Sequence, residues 1–200
     1  RGGAEWILNF GDGSSSNRLQ LEINGGQIWN YTQAASASNC SFGGGSISNN
    51  TWTHVALTND NVSGKKLYIN GILVASNSNT TSPSELSGTV KFNLGRIPGL
   101  SNYFKGTIDE VKIWNTVKTA SEISAGKTKT LSGTETGLEA YYNFNAGTGT
   151  TLTDLAGGDD NGTLTNFSLT GTTSNWIDGL TGTVTGVRVQ LTATDGSGNT

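Results

Sequence analysis

Apolar and polar residues alternate in short runs between residues 52 and 114, and this period of two restricts the chain's folding choices more than any other feature. The runs are Trp52-Thr53-His54-Val55-Ala56-Leu57-Thr58, Lys66-Leu67-Tyr68-Ile69-Asn70-Gly71-Ile72-Leu73-Val74, and Phe104-Lys105-Gly106-Thr107-Ile108-Asp109-Glu110-Val111-Lys112-Ile113-Trp114-Asn115. Successive side chains of a strand point to opposite faces, so such runs read as half-buried strands. Val55 and Leu57 share one face, as do Leu67 and Ile69, and Asp109 shares a face with Val111 and Ile113. Asn70-Gly71 reads as a hairpin turn, since both residue types tolerate positive φ. Strands with one apolar face must bury it against another layer, which predicts an all-β domain.

Two hundred residues suit one such domain with a sizeable core and a tail. Charged residues make up 14 %, against roughly 25 % in ordinary soluble domains. Gly, Ser, Thr and Asn replace them, which suits short strands, tight turns and an extracellular or cell-surface setting. The net charge is −3 with no basic cluster, so nucleic acid is not an expected partner. No apolar run approaches the roughly 20 residues that span a bilayer. Cys40 is the lone cysteine; it excludes an internal disulfide and reads as an incidental small residue. No signal peptide is visible, and the chain reads as a piece of a larger protein with neighbouring modules.

Before the central runs, Trp6, Leu8 and Phe10 alternate with Ile7 and Asn9, which predicts a strand entering the core. Leu19, Leu21 and Ile23 face inward while Gln20 and Glu22 face out. Residues 27–33 form the return strand, with Trp29 and Tyr31 on one side. Thr119-Ala120-Ser121-Glu122 is a capping box, and one short helix is expected near 119–126. Further on, Leu138, Ala140, Tyr142 and Phe144 share a face. The expected layout is a sandwich over 1–180, followed by a linker or the start of another module over 181–200.

The order of a Trp-x-His-Val-Ala strand, a Leu-Tyr-Ile-Asn-Gly hairpin, the Leu94-Gly95 turn and the Gly-x-Ile-Asp-Glu-Val strand resembles the laminin-G-like, concanavalin A-like jelly-roll superfamily, in its bacterial surface-protein form. The resemblance implies a two-sheet antiparallel β-sandwich, or jelly roll, with one short helix. It leaves function open, because the fold hosts lectins, carbohydrate-binding modules, adhesion domains and enzymes. In the family, a segment like residues 141–164 often opens a domain. Here it follows the Asp-Glu-Val strand, so it either closes this sandwich or opens another. Closure is favoured, because no new Trp-x-His-Val-Ala strand follows. The first family strand is missing before Trp6, and a C-terminal strand is a candidate to fill that edge.

Retaining glycoside hydrolysis needs two carboxyls about 5 Å apart. The nearest run, Asp109-Glu110, places its carboxylates on opposite faces, so no catalytic residues are assigned. Glu110 and Lys112 read as a solvated face, and His54 as a packing residue. Asp109 faces the core, where it either accepts backbone N–H groups or helps hold a structural Ca²⁺. Asp12 and Asp60 sit in turn-forming loops that could supply further oxygens. For carbohydrate, aromatic platforms meet the sugar ring while amides and arginine meet its hydroxyls. Trp6, Trp52 and Trp114 are expected in the core. Tyr103, Arg96, Asn102, Trp29 and Tyr31 are the ligand-binding candidates. The expected function is non-catalytic binding of a polysaccharide or glycoconjugate. The alternative is a structural or protein-binding adhesion domain with no sugar site.

Overall fold

A computed structural model describes residues 3–14, 16–34, 39–97, 99, 102–169, 176 and 193–194. The strands are β1 Glu5–Gly11, β2 Arg18–Asn24, β3 Gln27–Gln33, β4 Cys40–Ser46, β5 Val55–Asp60, β6 Gly64–Ile69, β7 Ile72–Asn77, β8 Lys91–Leu94, β9 Val111–Trp114, β10 Leu138–Tyr142, β11 Thr151–Leu152, β12 Gly162–Thr163 and β13 Ala193–Thr194. The helix α1 is Ala120–Gly126, and the Thr119 side chain and Glu122 cap it reciprocally, as the sequence predicts.

One layer is the five-stranded sheet β4-β3-β2-β1-β8. The other contains the sheet β5-β6-β7 and the pair β9-β10, with β13 parallel to β9 and lying alongside β5. Of residues 181–200, expected from sequence as a linker or the start of another module, Ala193–Thr194 is a strand, and the rest lies outside the described residues. Leu19, Leu21 and Ile23 of the first layer meet Val55, Leu57, Leu67, Ile69 and Val111 of the second in one core. Each such side chain contributes about 1.5–3 kcal/mol when fully buried. Asn70 and Gly71 take φ of 53° and 83°, the geometry expected of an Asn-Gly hairpin. The Asn70 amide oxygen also accepts the His54 backbone N–H at 2.9 Å, tying the hairpin to β5.

The chain after α1 adds to this core. β10 pairs antiparallel with β9, and Ala140, Tyr142 and Leu152 join the buried cluster. Asp154 organises the turn beyond: its Oδ1 accepts the backbone N–H groups of Tyr141 and Ala156, each at 2.9 Å. The segment 138–164 therefore packs as part of this sandwich.

Three expectations are corrected. Trp6 is not a core residue. A bulge between Trp6 and Leu8 inserts an extra residue, so Ile7 and Leu8 are both buried while Trp6 stands opposite Glu22. Trp52 and Trp114 are likewise only half-buried; Trp114 carries the Lys118 ammonium 3.8 Å above its ring. Glu110 and Lys112 are not a solvated face: they are 5 % and 1 % exposed and 3.3 Å apart. The Glu110 carboxylate accepts the Tyr141 hydroxyl with both oxygens at 3.0 Å, and the Lys112 ammonium donates to the Lys129 carbonyl. The connection from α1 to β10 thus crosses the face that alternation assigns to solvent.

Candidate functional site

The five-stranded sheet turns one face away from the core. Pairing fixes which side chains share it. In one row Tyr31 pairs with Gln20, Gln20 with Asn9, and Asn9 with Asn93. In the next, Trp29 pairs with Glu22 and Glu22 with Trp6, and Trp6 forms a parallel bridge with Tyr103. Strands lie about 4.8 Å apart, so the row from Trp29 to Tyr103 extends roughly 14 Å.

Trp29 and Tyr31, two residues apart on β3, make a stacked pair with ring centroids 6.4 Å apart and planes inclined by 25°. Gly43, opposite Trp29 on β4, makes room for the indole: a Cβ there would lie 2.6 Å from the ring. Trp29 and Tyr31 are both half-buried. At the far end of the row the Arg96 guanidinium lies 5.8 Å over the Tyr103 ring, and Tyr103 is 50 % exposed. Asn102 is exposed, and its carbonyl accepts the Trp6 backbone N–H at 3.5 Å. The sequence-predicted ligand residues therefore form two clusters, Trp29 with Tyr31 and Arg96 with Asn102 and Tyr103. Register sets these at opposite ends of one row.

Between the clusters lie polar side chains that sequence reasoning passed over. Asn9 and Gln20 are each 1 % exposed and Glu22 2 %. Glu22 accepts the Gln20 amide at 3.1 Å and the Asn24 amide at 3.2 Å. Desolvation raises its pKa above the ordinary glutamate value, tempered by Asn24, Gln20 and Arg18. Both amide atoms of Asn9, the Gln20 Oε1, the Trp6 Nε1 and the Arg18 Nε are buried without a hydrogen-bond partner. Buried polar atoms are nearly always satisfied, so this cluster of exceptions sets the face apart. The outward position of Gln20 and Glu22 is legible from alternation, whereas their enclosure is not.

A cleft of about 520 Å³ opens beside this face, with Arg96, Tyr103, Asp109 and Trp52 in its wall. The wall also includes Phe92 and Leu94 of β8, Tyr142 of β10 and Leu152 of β11. Phe10, Phe92 and Tyr142 stack in series there, at 4.7 and 6.2 Å. The cleft is thus the open flank of the sandwich, where the edge strands β8 and β10 part.

The carboxylates considered for Ca²⁺ do not fit a shared ion. Asp12 accepts the Ser14 backbone N–H at 2.8 Å and the Asn17 amide at 3.0 Å, and its pKa is lowered, first by Ser14. Asp60 accepts the Val62 and Ser63 N–H groups at 2.7 and 3.0 Å, and these bonds lower its pKa. Asp109, 6 % exposed, accepts the Glu110 N–H at 2.9 Å, and Glu110 itself takes a φ of 56°. Among the described residues no three His, Cys, Asp or Glu side chains gather as metal ligands. Each of these aspartates organises its own turn.

The chain belongs to the concanavalin A-like lectin/glucanases superfamily, whose laminin-G-type family model matches residues 2–124. Among solved structures, one described as "a putative carbohydrate binding protein" from Bacteroides ovatus is similar, with a TM-score of 0.56 at 20 % identity. That likeness covers 80 % of this chain and 53 % of the other, so the chain spans about half of that protein. At such identity it shows the fold. An S-layer domain-containing protein from Clostridium thermocellum is 25 % identical over 63 % of this chain and 64 % of its own, with a TM-score of 0.35. Among curated proteins no relative matches. No helix among the described residues is long and apolar enough to cross a membrane.

Proposed function

We propose that this domain is a non-catalytic, lectin-like carbohydrate-binding module of a secreted or surface bacterial protein, and that the outward face of the five-stranded sheet binds a polysaccharide. The observation that carries the reading is the row Trp29-Glu22-Trp6-Tyr103, with Tyr31 stacked beside Trp29. Flat indole and phenol rings cover the apolar face of a pyranose at little entropic cost. Contacts to the hydroxyls, each of which donates and accepts, fall to groups at the rim, because Asn9, Gln20 and Glu22 are buried. Arg96 and Asn102 extend the polar contacts at the rim. Family membership and the likeness to the Bacteroides ovatus protein support this reading. Glu22 is the one carboxylate in these rows, whereas retaining hydrolysis uses two about 5 Å apart. The charge-poor composition suits an extracellular module beside others of the same polypeptide.

Isothermal titration against plant and marine polysaccharides tests the proposal. Trp29→Ala is expected to weaken binding at least tenfold, and Tyr103→Ala to weaken it less. Absence of binding to every polysaccharide would instead favour a structural or protein-binding adhesion role.

A further inference from the structure

We propose that the cleft on the open flank of the sandwich is a second carbohydrate site, which holds a short oligosaccharide or the end of a longer glycan between aromatic walls. The inference shares with the preceding reading that this domain binds carbohydrate, but it places the ligand on a different surface, so the two fail separately. Tyr103 stands where the surfaces meet: it is bridged to Trp6 at the end of the sheet row and lines the cleft.

Access sets this cleft apart from the middle of the sheet. Among the described residues two aromatic side chains are exposed, Tyr103 at 50 % and Phe167 at 36 %, and both line the cleft. Rings that serve the core are covered, whereas exposed rings in a concave surface mark a ligand groove and offer flat faces to a sugar. Phe144, half-buried, belongs to the same wall. Trp176 meets Phe167 edge to face, with centroids 5.9 Å apart and planes inclined by 64°, and so braces its ring. The volume of about 520 Å³ falls within the roughly 300–1,000 Å³ of small-ligand sites, which suits a few sugar units and not a long run of chain.

Polar groups reach the cleft from both sides. Arg96 comes from the chain after β8, and Asn145 and Asn166 from the chain after β10. Both asparagines are exposed and Arg96 is half-buried. Their side chains form no hydrogen bond to another described residue, so a ligand meets them unengaged. A guanidinium donates, and an amide donates and accepts, which together match hydroxyls that do both. A purely apolar ligand would leave these groups unmatched. Phe144 and Asn166 also take φ of 54° and 59°. The left-handed region is unusual for a bulky residue, and such strain gathers at ligand clamps.

The test titrates the isotope-labelled chain with cellohexaose, xylohexaose and mannohexaose and follows backbone and indole N–H signals by NMR. At least one of these sugars is expected to shift the amides of Gly95, Gly106 and Thr163 and the Trp176 indole, all of which line the cleft. In calorimetry with that sugar, Asn145→Ala/Asn166→Gly is expected to bind at least tenfold more weakly than wild type. Glycine is chosen at 166 because it takes the positive φ without strain. Thermal melts show whether the variant is folded; should it not fold, the wild-type shift map decides alone. Shifts confined to β3 and β4 around Trp29 overturn the inference, as does a folded variant with wild-type affinity. Absence of shifts with all three sugars overturns it too. Trp29→Ala, titrated with polysaccharide, reads the sheet face separately: full affinity there overturns that reading and leaves the cleft untouched.

Discussion

Replacing Lys112 by methionine tests whether the Glu110–Lys112–Tyr141 cluster is interior chemistry. The two charges are 3.3 Å apart, with side chains 6 % and 1 % exposed. At an effective dielectric constant of about 20, their attraction is about 5 kcal/mol. Desolvation offsets much of that, so the pair's net contribution is small. Removing one partner is different, because it strands Glu110 as a buried charge with the Tyr141 hydroxyl as its remaining donor. The expected cost of Lys112→Met is about 3–5 kcal/mol, or a melting temperature lower by roughly 6–20 °C for a domain of this size. The double variant Glu110→Gln/Lys112→Met removes the stranded charge and is expected to be more stable than Lys112→Met. Urea unfolding followed by tryptophan fluorescence measures both. A solvated pair would cost at most about 1 kcal/mol. A Lys112→Met loss that small, or a double variant less stable than the single, would refute the reasoning.

Gly43→Ala places a Cβ 2.6 Å from both the Trp29 ring and the Ile28 carbonyl; it is expected to cost about 1–3 kcal/mol and to weaken polysaccharide binding by displacing the indole, read by titration beside a urea curve. Asn70→Ala removes the short polar side chain that lets asparagine adopt a left-handed backbone, where other L-residues meet a penalty of about 1–2 kcal/mol, and loses the bond to the His54 N–H, whereas Asn70→Gly, which has no Cβ to strain, should lose less, by the same unfolding measurement. Burial raises Tyr142 to about 12, so its neutral form favours the folded state. That contribution is complete below the ordinary tyrosine value near 10 and disappears as pH rises towards about 12. Tyr142→Phe should flatten the fall in urea midpoint between pH 9 and 11. Thr119→Ala removes the cap of α1 and is expected to cost about 1 kcal/mol.

Some elements were legible because the forces that shape them are local. The alternation of Val55 with Leu57 and of Leu67 with Ile69 appears as β5 and β6, facing one core. Asn70-Gly71 forms its turn, and Thr119 with Glu122 caps the helix. Trp29 and Tyr31 share a face because they are two residues apart on one strand. Trp6 could not be placed this way. Alternation assigns it with Leu8 and Phe10, but one extra residue in β1 reverses its face and sets it beside Glu22. Glu110 and Lys112 were misread for another reason: alternation states which way a side chain points, not what later chain crosses it.

The sequence alone determined the alternating strands, the hairpin and the capped helix, since period, turn chemistry and capping act over a few residues. Tertiary structure alone decided which strands became neighbours, and therefore that Trp29, Glu22, Trp6 and Tyr103, from four separate stretches, stand in one row. Strand register is a non-local pairing. It depends on how two layers bury their apolar faces together, which no short window of sequence contains.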